Sequence, residues 1–400
     1  MQSVELTQEQ WAAIERLRHE DINRLRLTHH GDPSMSRVID QIECRARTSK
    51  KLASTLSSHP LFIFPSVLSA EQCTSDSLAS FHASLIPVGA GVLDMTCGLG
   101  IDAIHLATKA ACVEAYEINE FTASCVRHNV AAAAIENLRI FCGDSVKRLE
   151  TLDNDSFDCI FIDPARRGAY GKRLFALADC EPDVTALLPR MLEVAPLVII
   201  KASPMLDIAH TVSELGHSVS RVIAVGDRRE CKELIIICER KDTVSPVLCA
   251  VTLNGEKISG EWEFTRNEEN NAPAIYGLPD AGDYLYEPYP ATLKSGGFKS
   301  LSSRLKMKKI APNSHLYSSQ SILDDFPGER FRILEVAPFS KKTVRELKGR
   351  YDRLDISVRN FPMKPEEISA KLKIKGGGTE RLFATRDAND RPIVIVATKD

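Results

Sequence analysis

The stretch from Gly91 to Gly100, Gly-Val-Leu-Asp-Met-Thr-Cys-Gly-Leu-Gly, constrains this chain more than any other. Val92 and Leu93 begin a short apolar strand, Asp94 ends it, and Gly98-Leu99-Gly100 makes a glycine turn. Ile101, Ile104, His105 and Leu106 follow at helical spacing. A strand, a glycine turn and a helix in that order form a nucleotide-binding corner, because glycines carry no Cβ to hold a ligand off the backbone. Two ligands suit such a corner. Gly98-x-Gly100-x-x-Ala103 satisfies the loose dinucleotide fingerprint, and Glu117 lies about 20 residues further on. Asp94 opposes that ligand, since a carboxylate at the strand end repels a pyrophosphate and attracts a cation.

S-adenosylmethionine (SAM) has no phosphate and carries an ammonium and a sulfonium, and the next elements fit it better. Cys112 to Ile118 reads as a second strand ending in Glu117, which can accept both ribose hydroxyls. Leu138 to Asp144 is a third strand, whose terminal Asp144 can accept a bond from the adenine amino group. Phe157 to Ala165 is a fourth and ends in Asp163-Pro164. A single carboxylate after a strand is ordinarily a turn or helix-cap residue. Four consecutive ones in register with one glycine loop line the ligand crevice of an open α/β sheet. Helices are expected at about 100–110, 119–134, 181–193 and 205–215, and Leu197 to Lys201 is a buried fifth strand. Val219 to Val225 and Glu233 to Cys238, joined by a polar turn, read as a hairpin that closes the sheet.

Taken in order, Leu-Asp-Met-Thr-Cys-Gly-Leu-Gly, Tyr-Glu-Ile-Asn, Cys-Gly-Asp and Asp-Pro-Ala-Arg-Arg resemble the motifs of class I SAM-dependent methyltransferases. Asp163-Pro164-Ala165-Arg166-Arg167 together with Lys201-Ala202-Ser203-Pro204-Met205-Leu206-Asp207 is similar, more closely, to the bacterial methyltransferases that carry a C-terminal THUMP-like domain. The resemblance covers most of the chain. It implies an α/β fold: a Rossmann-like core of mostly parallel sheet with an antiparallel closing hairpin, an N-terminal helical region, and small C-terminal α+β modules, ferredoxin-like and THUMP-like. It implies that Asp94, Thr96, Cys97, Gly98, Gly100, Glu117, Ile118, Asn119, Asp144, Ser145 and Asp163 hold SAM. Asp163, Pro164, Ala165 and Arg166 are then the catalytic centre, with the carboxylate and nearby carbonyls orienting an acceptor amine for in-line transfer. Related enzymes carry Asn/Asp-Pro-Pro-aromatic at this point. Here Ala165 and Arg166 replace the second proline and the aromatic, so Arg166 and Arg167 are candidates to pair with a substrate phosphate or stack on a base, or to bridge core acids. Lys201 is expected at the rim of the site by resemblance.

The 400 residues suggest five segments: a helical region at 1–88, the methyltransferase core at 89–240, a β-rich connector at 241–282, a basic ferredoxin-like segment at 283–323 and a THUMP-like domain at 324–400. Apolar content of 44% is ordinary for a globular protein, and a net charge of −3 confines any nucleic-acid surface to a local patch. No transmembrane run or secretory signal is expected. None of the eleven cysteines forms a Cys-x-x-Cys pair, so neither a metal nor a disulfide framework is expected, which suits a reducing cytoplasm. Cys112, Cys142, Cys159 and Cys238 fall on expected strands as small buried residues.

In the N-terminal region, Gln8 to Leu27 and Ser36 to Leu56 read as helices, the second with a basic face of Arg45, Arg47, Lys50 and Lys51. Leu61 to Pro65 is extended, and Ser69 is available as a helix cap. Beyond the core, Asn254-Gly255 marks a hairpin within Thr243 to Glu263, and Asn267 to Pro279 reads as loop. Tyr284 to Pro290 is aromatic and extended, and Ala291 to Lys309 is helical and basic, with Lys294, Lys299, Arg304, Lys306, Lys308 and Lys309. That run is the expected RNA-contact surface. The last segment reads βαβαββ, with a basic glycine turn at Lys373 to Gly378. Together with the resemblance, these features imply a SAM-dependent methyltransferase, and the resemblance implies that it acts on a base nitrogen of structured RNA, tRNA or rRNA. A protein or small-molecule methyltransferase, and a SAM- and RNA-binding protein without turnover, are the alternatives.

Overall fold

The computed structural model describes residues 4–166 and 176–399, with Arg166 in its backbone only. By compactness the chain divides into two units. The first holds Met1–Ser220, Ile235–Thr243 and Gly255–Lys257; the second holds Arg221–Leu234, Val244–Asn254 and Ile258–Asp400.

Six helices precede the first strand among the described residues: α1 (Gln8–Leu17), α2 (Ile22–Thr28), α3 (Pro33–Thr48), α4 (Ala53–Ser58), α5 (Val67–Gln72) and α6 (Asp76–Leu85). The single helix expected over Gln8 to Leu27 is two. Asp21 breaks it by taking the backbone N–H of Arg24 and capping α2, which an aspartate does more readily than it extends a helix. In the same way α3 starts early, at Pro33 behind the Asp32 cap, and ends at Thr48. Ser66, not Ser69, caps α5. The basic face of α3 is turned to structural use: Arg45 donates to the carbonyls of Pro60 and Phe62, Arg47 pairs with Glu43 and Glu71, and Lys51 donates to the Glu71 carbonyl. The extended segment at 61–65 is clamped on both sides by buried amides. Gln41 bonds both backbone groups of Phe64, and Asn129 bonds both of Ile63.

The core of the first unit alternates β1 (Gly91–Asp94), α7 (Ile101–Leu106), β2 (Cys112–Glu117), α8 (Glu120–Ala132), β3 (Leu138–Cys142), α9 (Ser145–Thr151) and β4 (Cys159–Ile162). The short pair β5 (Ala165–Arg166) and β6 (Cys180–Glu181), then α10 (Val184–Val194), β7 (Leu197–Ala202) and α11 (Ile208–Leu215), continue it. Its strands run parallel in the order β7-β4-β1-β2-β3, with Gly91 opposite Cys112 and Val92 opposite Cys159. All of β4 is buried, as a central parallel strand must be. Sequence periodicity missed α9, a helix capped by Asp144. Cys159 and Cys238 are buried as expected, but Cys142 is half-buried and Cys112, at the start of β2, is exposed.

Two strands follow, β8 (Val219–Gly226) and β9 (Cys231–Glu239). Between them Asp227 N–H donates to the Glu230 carbonyl at 3.0 Å. A Cβ on Gly226 would lie 2.1 Å from that carbonyl oxygen, so the tight turn requires glycine. A turn of this length returns the chain antiparallel, the expected closing hairpin, and β9 takes its place beside β7 in the strand order.

The second unit continues with β10 (Val247–Asn254), parallel to β8, and β11 (Lys257–Thr265) after the Asn254-Gly255 turn. Next come α12 (Arg266–Asn271), β12 (Tyr284–Pro288), α13 (Pro290–Ser295), α14 (Phe298–Arg304), β13 (Lys308–Lys309) and β14 (Tyr317–Ser319). The chain ends with β15 (Gly328–Pro338), α15 (Lys341–Arg350), β16 (Asp355–Val358), α16 (Pro365–Leu372), β17 (Glu380–Arg386) and β18 (Pro392–Lys399), the expected βαβαββ order. These strands form one sheet, β13-β14-β12-β15-β18-β17-β16. Along β18, Ile393, Ile395 and Ala397 face one apolar cluster while Val394 and Val396 face another, so the sheet is buried on both sides.

The loop expected at 267–279 begins as α12, because Thr265 caps it and Glu269 reaches across to accept the Lys299 and Ser300 N–H groups at the start of α14. The basic run is correspondingly less available than its composition suggests. Arg304 pairs with Glu268 and lies over the Trp262 ring, and the Lys299 ammonium donates to the Asn270 carbonyl. Lys309 is buried, its ammonium donating to the Pro312 carbonyl, and burial lowers its pKa to about 8.

Candidate active site

Asp94 ends β1 almost fully buried. Its Oδ1 accepts the Thr96 N–H at 2.9 Å, and its Oδ2 has no hydrogen-bond partner among the described residues. Burial pushes the carboxyl up to about 8. The loop above it needs its glycines. Gly98 and Gly100 have φ of +54° and +81°, and a Cβ on Gly100 would stand 2.5 Å from Val126 Cγ1 on α8. Glu117, at the end of β2, braces the loop: Oε2 accepts the Gly98 N–H at 3.0 Å, and Oε1 accepts the Asn119 N–H at 2.7 Å. Thr96 joins the loop to the end of β4, its hydroxyl oxygen accepting the Asp163 N–H at 2.6 Å.

These groups surround a cavity of about 250 Å³. Of the residues expected from sequence, Thr96, Cys97, Gly98, Glu117 and Asp163 line it. Asp94 and Gly100 lie beneath and behind the loop, buried. Ile118, Asn119, Asp144 and Ser145 are not brought to this cavity: Ile118 is exposed, Asn119 caps α8, Asp144 caps α9 and Ser145 is buried in that helix. Pro164 is buried, and Ala165 opens β5, paired with Glu181 of β6. The Arg166 side chain and Arg167 lie outside the described residues.

Sequence reasoning missed a buried polar chain behind Asp163. The Lys201 ammonium, at the end of β7, lies 2.6 Å from Asp163 Oδ2 and donates to the Thr74 hydroxyl at 2.9 Å. Thr74 donates in turn to Asp102 Oδ2, and Asp102 Oδ1 lies 2.8 Å from His82 Nδ1. Burial alone would raise the Asp102 carboxyl. The charges of Lys201 and His82 and the hydrogen bonds from His82 and Thr74 outweigh it and hold the group well below the usual carboxylate range. Ser69, Gln72, Cys73 and Thr74, all from the N-terminal region, wall the same cavity. One signal in the sequence pointed here. Lys201 closes an otherwise apolar strand, Leu-Val-Ile-Ile-Lys, and a half-buried ammonium requires acidic partners.

A crevice at the carboxyl ends of parallel strands, a glycine loop over a buried carboxylate, and an Asp-Pro step opening into the same space define a SAM-dependent methyltransferase. Comparison with known proteins makes the assignment specific. A family model described as RNA cap guanine-N2 methyltransferase matches residues 90–200, one described as a ferredoxin-like domain matches 284–327, and one described as THUMP domain-like matches 328–399. A crystal structure of a protein from Porphyromonas gingivalis W83, assigned to the methyltransferases, is 32% identical and superimposes over 98% of this chain and 99% of its own, with a TM-score of 0.86. SAM-dependent methyltransferases of two Mycobacterium tuberculosis strains, H37Rv and CDC 1551, are each 24% identical over 334 residues, 82% of either chain. The chain belongs to this family of SAM-dependent methyltransferases with a C-terminal THUMP-like domain. Among the described residues no group of three or more His, Cys, Asp or Glu side chains is placed to hold a metal ion, and no helix is long and apolar enough to cross a membrane.

Proposed function

We propose that this enzyme methylates a base nitrogen of structured RNA, tRNA or rRNA. One observation carries the reading: Asp163 opens into the same cavity as the Gly98 loop and Glu117, so a cofactor held by the loop and an acceptor held at Asp163 share one space. The residues present fit SAM. Asp94 offers a buried, unpartnered carboxylate oxygen for a cation, and each Glu117 oxygen that accepts one backbone N–H keeps a lone pair for a ribose hydroxyl. SAM, when bound, supplies an electrophilic methyl group. The protein does the rest by position. The Asp163 carboxylate accepts an N–H of the incoming amine, turns the lone pair toward the methyl carbon and takes the proton released. Lys201 holds that carboxylate in place at 2.6 Å.

The RNA substrate is supported by the guanine-N2 description of the model matching the core and by the THUMP-like C-terminus. In this reading residues 89–240 carry the chemistry and residues 1–88 wall the pocket. Residues 241–282 connect, and residues 283–323 and 324–400 present the RNA. Arg166 and Arg167 meet a substrate phosphate, and the unpaired cysteines suit a cytoplasmic enzyme.

The test is SAM and NAD calorimetry on the purified protein, followed by tritiated-methyl transfer to total RNA from cells lacking the gene. SAM binding with RNA labelling is expected, and Asp163→Ala should bind SAM normally while losing roughly 100- to 10,000-fold in turnover. Full activity in that variant would remove Asp163 from the mechanism, and labelling of protein instead of RNA would overturn the substrate.

A further inference from the structure

A second cleft, of about 440 Å³, lies wholly within the second unit. Its floor is an unusual pair. Glu287 on β12 and Glu329 on β15 stand directly opposite each other across an antiparallel ladder, where like charges destabilise. Glu287 is buried; desolvation raises its carboxyl even though Arg359 and Arg381 pull the other way. Three cations meet these two carboxylates. Arg359 lies 2.6 Å from Glu287, Arg381 is 3.5 Å from both glutamates, and Lys399 donates to Glu329 at 2.8 Å. The Arg381 guanidinium carbon also lies over the Phe331 ring, 5.2 Å from its centroid.

A purely structural cluster would stop at charge balance. This one adds Arg228 and Arg229, exposed on the turn between β8 and β9, with the Arg228 guanidinium over the Tyr289 ring. Among the described residues neither guanidinium has an acidic partner. Five cations thus face two carboxylates in a chain whose own net charge is −3. The glutamates hold the inner cations in fixed directions, so little side-chain entropy is left to lose when an anion arrives. A smaller hollow of about 180 Å³, past Tyr286 and where Arg330 pairs with Asp324 at 3.0 Å, shares Arg228, Glu329 and Lys399 with the cleft and lengthens it.

We infer that this cleft is a phosphate-binding track for the backbone of the substrate RNA, separate from the SAM cavity. The inference rests on the RNA reading above. Arg228 and Arg229 contact phosphates directly, Lys399 adds a third contact at the rim, and Glu287 and Glu329 position the inner arginines.

The probe is a fluorescein-labelled RNA hairpin, titrated by anisotropy at several salt concentrations with the full-length protein. Each lost phosphate contact flattens the slope of log affinity against log salt by about 0.7 to 0.9. The Arg228→Gln/Arg229→Gln double variant should therefore flatten it by roughly 1.4 to 1.8, and Lys399→Gln by about half that. Arg228 and Arg229 are exposed, so melting temperature and SAM affinity of the double variant should stay at wild-type values. An unchanged slope in the double variant, with wild-type protein binding the hairpin well, would overturn this cleft and leave the RNA reading standing. No hairpin binding by wild-type protein would overturn both. Displacement of the hairpin by micromolar adenosine monophosphate would make the cleft a mononucleotide site and refute the backbone assignment.

Discussion

Replacing Lys201 by methionine tests the polar chain behind the active site. The change keeps the length of the side chain and removes a charge that lies 2.6 Å from Asp163 and 3.8 Å from Asp102. Asp163 is half-exposed and water can screen it, so its share of the cost is small. Asp102 is different: its side chain is 12% exposed, and Lys201 is the largest of the influences that lower its pKa. Stripping one partner from a buried ion costs about 3–5 kcal/mol, and the bonds from His82 and Thr74 remain, so about 3 kcal/mol is expected. For a unit of this size that lowers the melting temperature by roughly 6–12 °C. The pH dependence has a definite sign. In the wild type the Asp102 carboxyl is lowered, so its contribution is present above the unfolded value of about 3.9 and is lost only as pH falls through the folded value. Without Lys201 the largest lowering influence is gone, so the carboxyl is held less far below its ordinary value and contributes less stability above about pH 3.9. The gap between variant and wild type should therefore be full above about pH 4 and close as pH falls below it in thermal melts. Lys201→Met/Asp102→Asn removes the stranded charge and should recover more than half of the loss. A gap that stays constant with pH, or a double variant no more stable than the single one, would refute the coupling.

The other perturbations act on the loop. Asp94→Asn keeps the shape but removes a carboxyl that burial has pushed up to about 8. Its contribution to stability is fully present below the unfolded value and falls as pH rises through about 8, so the variant's melting temperature should be flatter than wild type over that range. Its SAM affinity should fall roughly 10- to 100-fold by calorimetry, the loss of one hydrogen bond to a charged group. Gly100→Ala places a methyl group 2.5 Å from Val126 Cγ1 at a φ of +81° and should cost roughly 2–4 kcal/mol. Val126→Ala in the same chain should return the part due to contact but not the part due to φ, and complete rescue in chemical denaturation would show that the backbone is unstrained.

The features legible in the sequence were those whose cause is local. An apolar run, an aspartate and a glycine turn determine β1, its loop and α7 within a few residues, and the continuous apolar run of β18 follows from burial on both faces. Glu117 and Asp163 were found because both sit at strand ends that the fold brings to one edge. Asp102, His82 and Thr74 were not. Asp102 in the first turn of α7 reads as an acid favouring a helix N-terminus, and His82 as one polar residue on an apolar helix. Their meaning is a contact with Lys201 more than ninety residues downstream. The break inside the first expected N-terminal helix was likewise hidden, because Asp21 leaves the helical pattern intact while its carboxylate accepts the Arg24 N–H that starts α2; the break before Pro33 was legible from the Gly31-Asp32-Pro33 step.

Charge shows the same division more sharply. The sequence draws the eye to the run from Lys294 to Lys309, yet local density is a poor guide to available charge. A basic helix that follows an acidic one is well placed to be neutralised by it, and Glu268 and Glu269 of α12 do this to Arg304 and to the start of α14. The same happens where Glu43 and Glu71 take up Arg47. The cleft over Glu287 draws its cations from the β8–β9 turn, the end of β16, β17 and the last turn of β18, so no window of the sequence contains it. A surplus of charge survives folding only where the chain brings cations together faster than it brings acids. In this protein the cleft meets that condition with elements distant in sequence, whereas in the basic run Arg304 is paired and Lys309 buried while Lys306 and Lys308 stay exposed. The salt dependence of RNA binding should accordingly respond to Arg228 and Arg229 and be nearly indifferent to Arg304, already paired and stacked on Trp262.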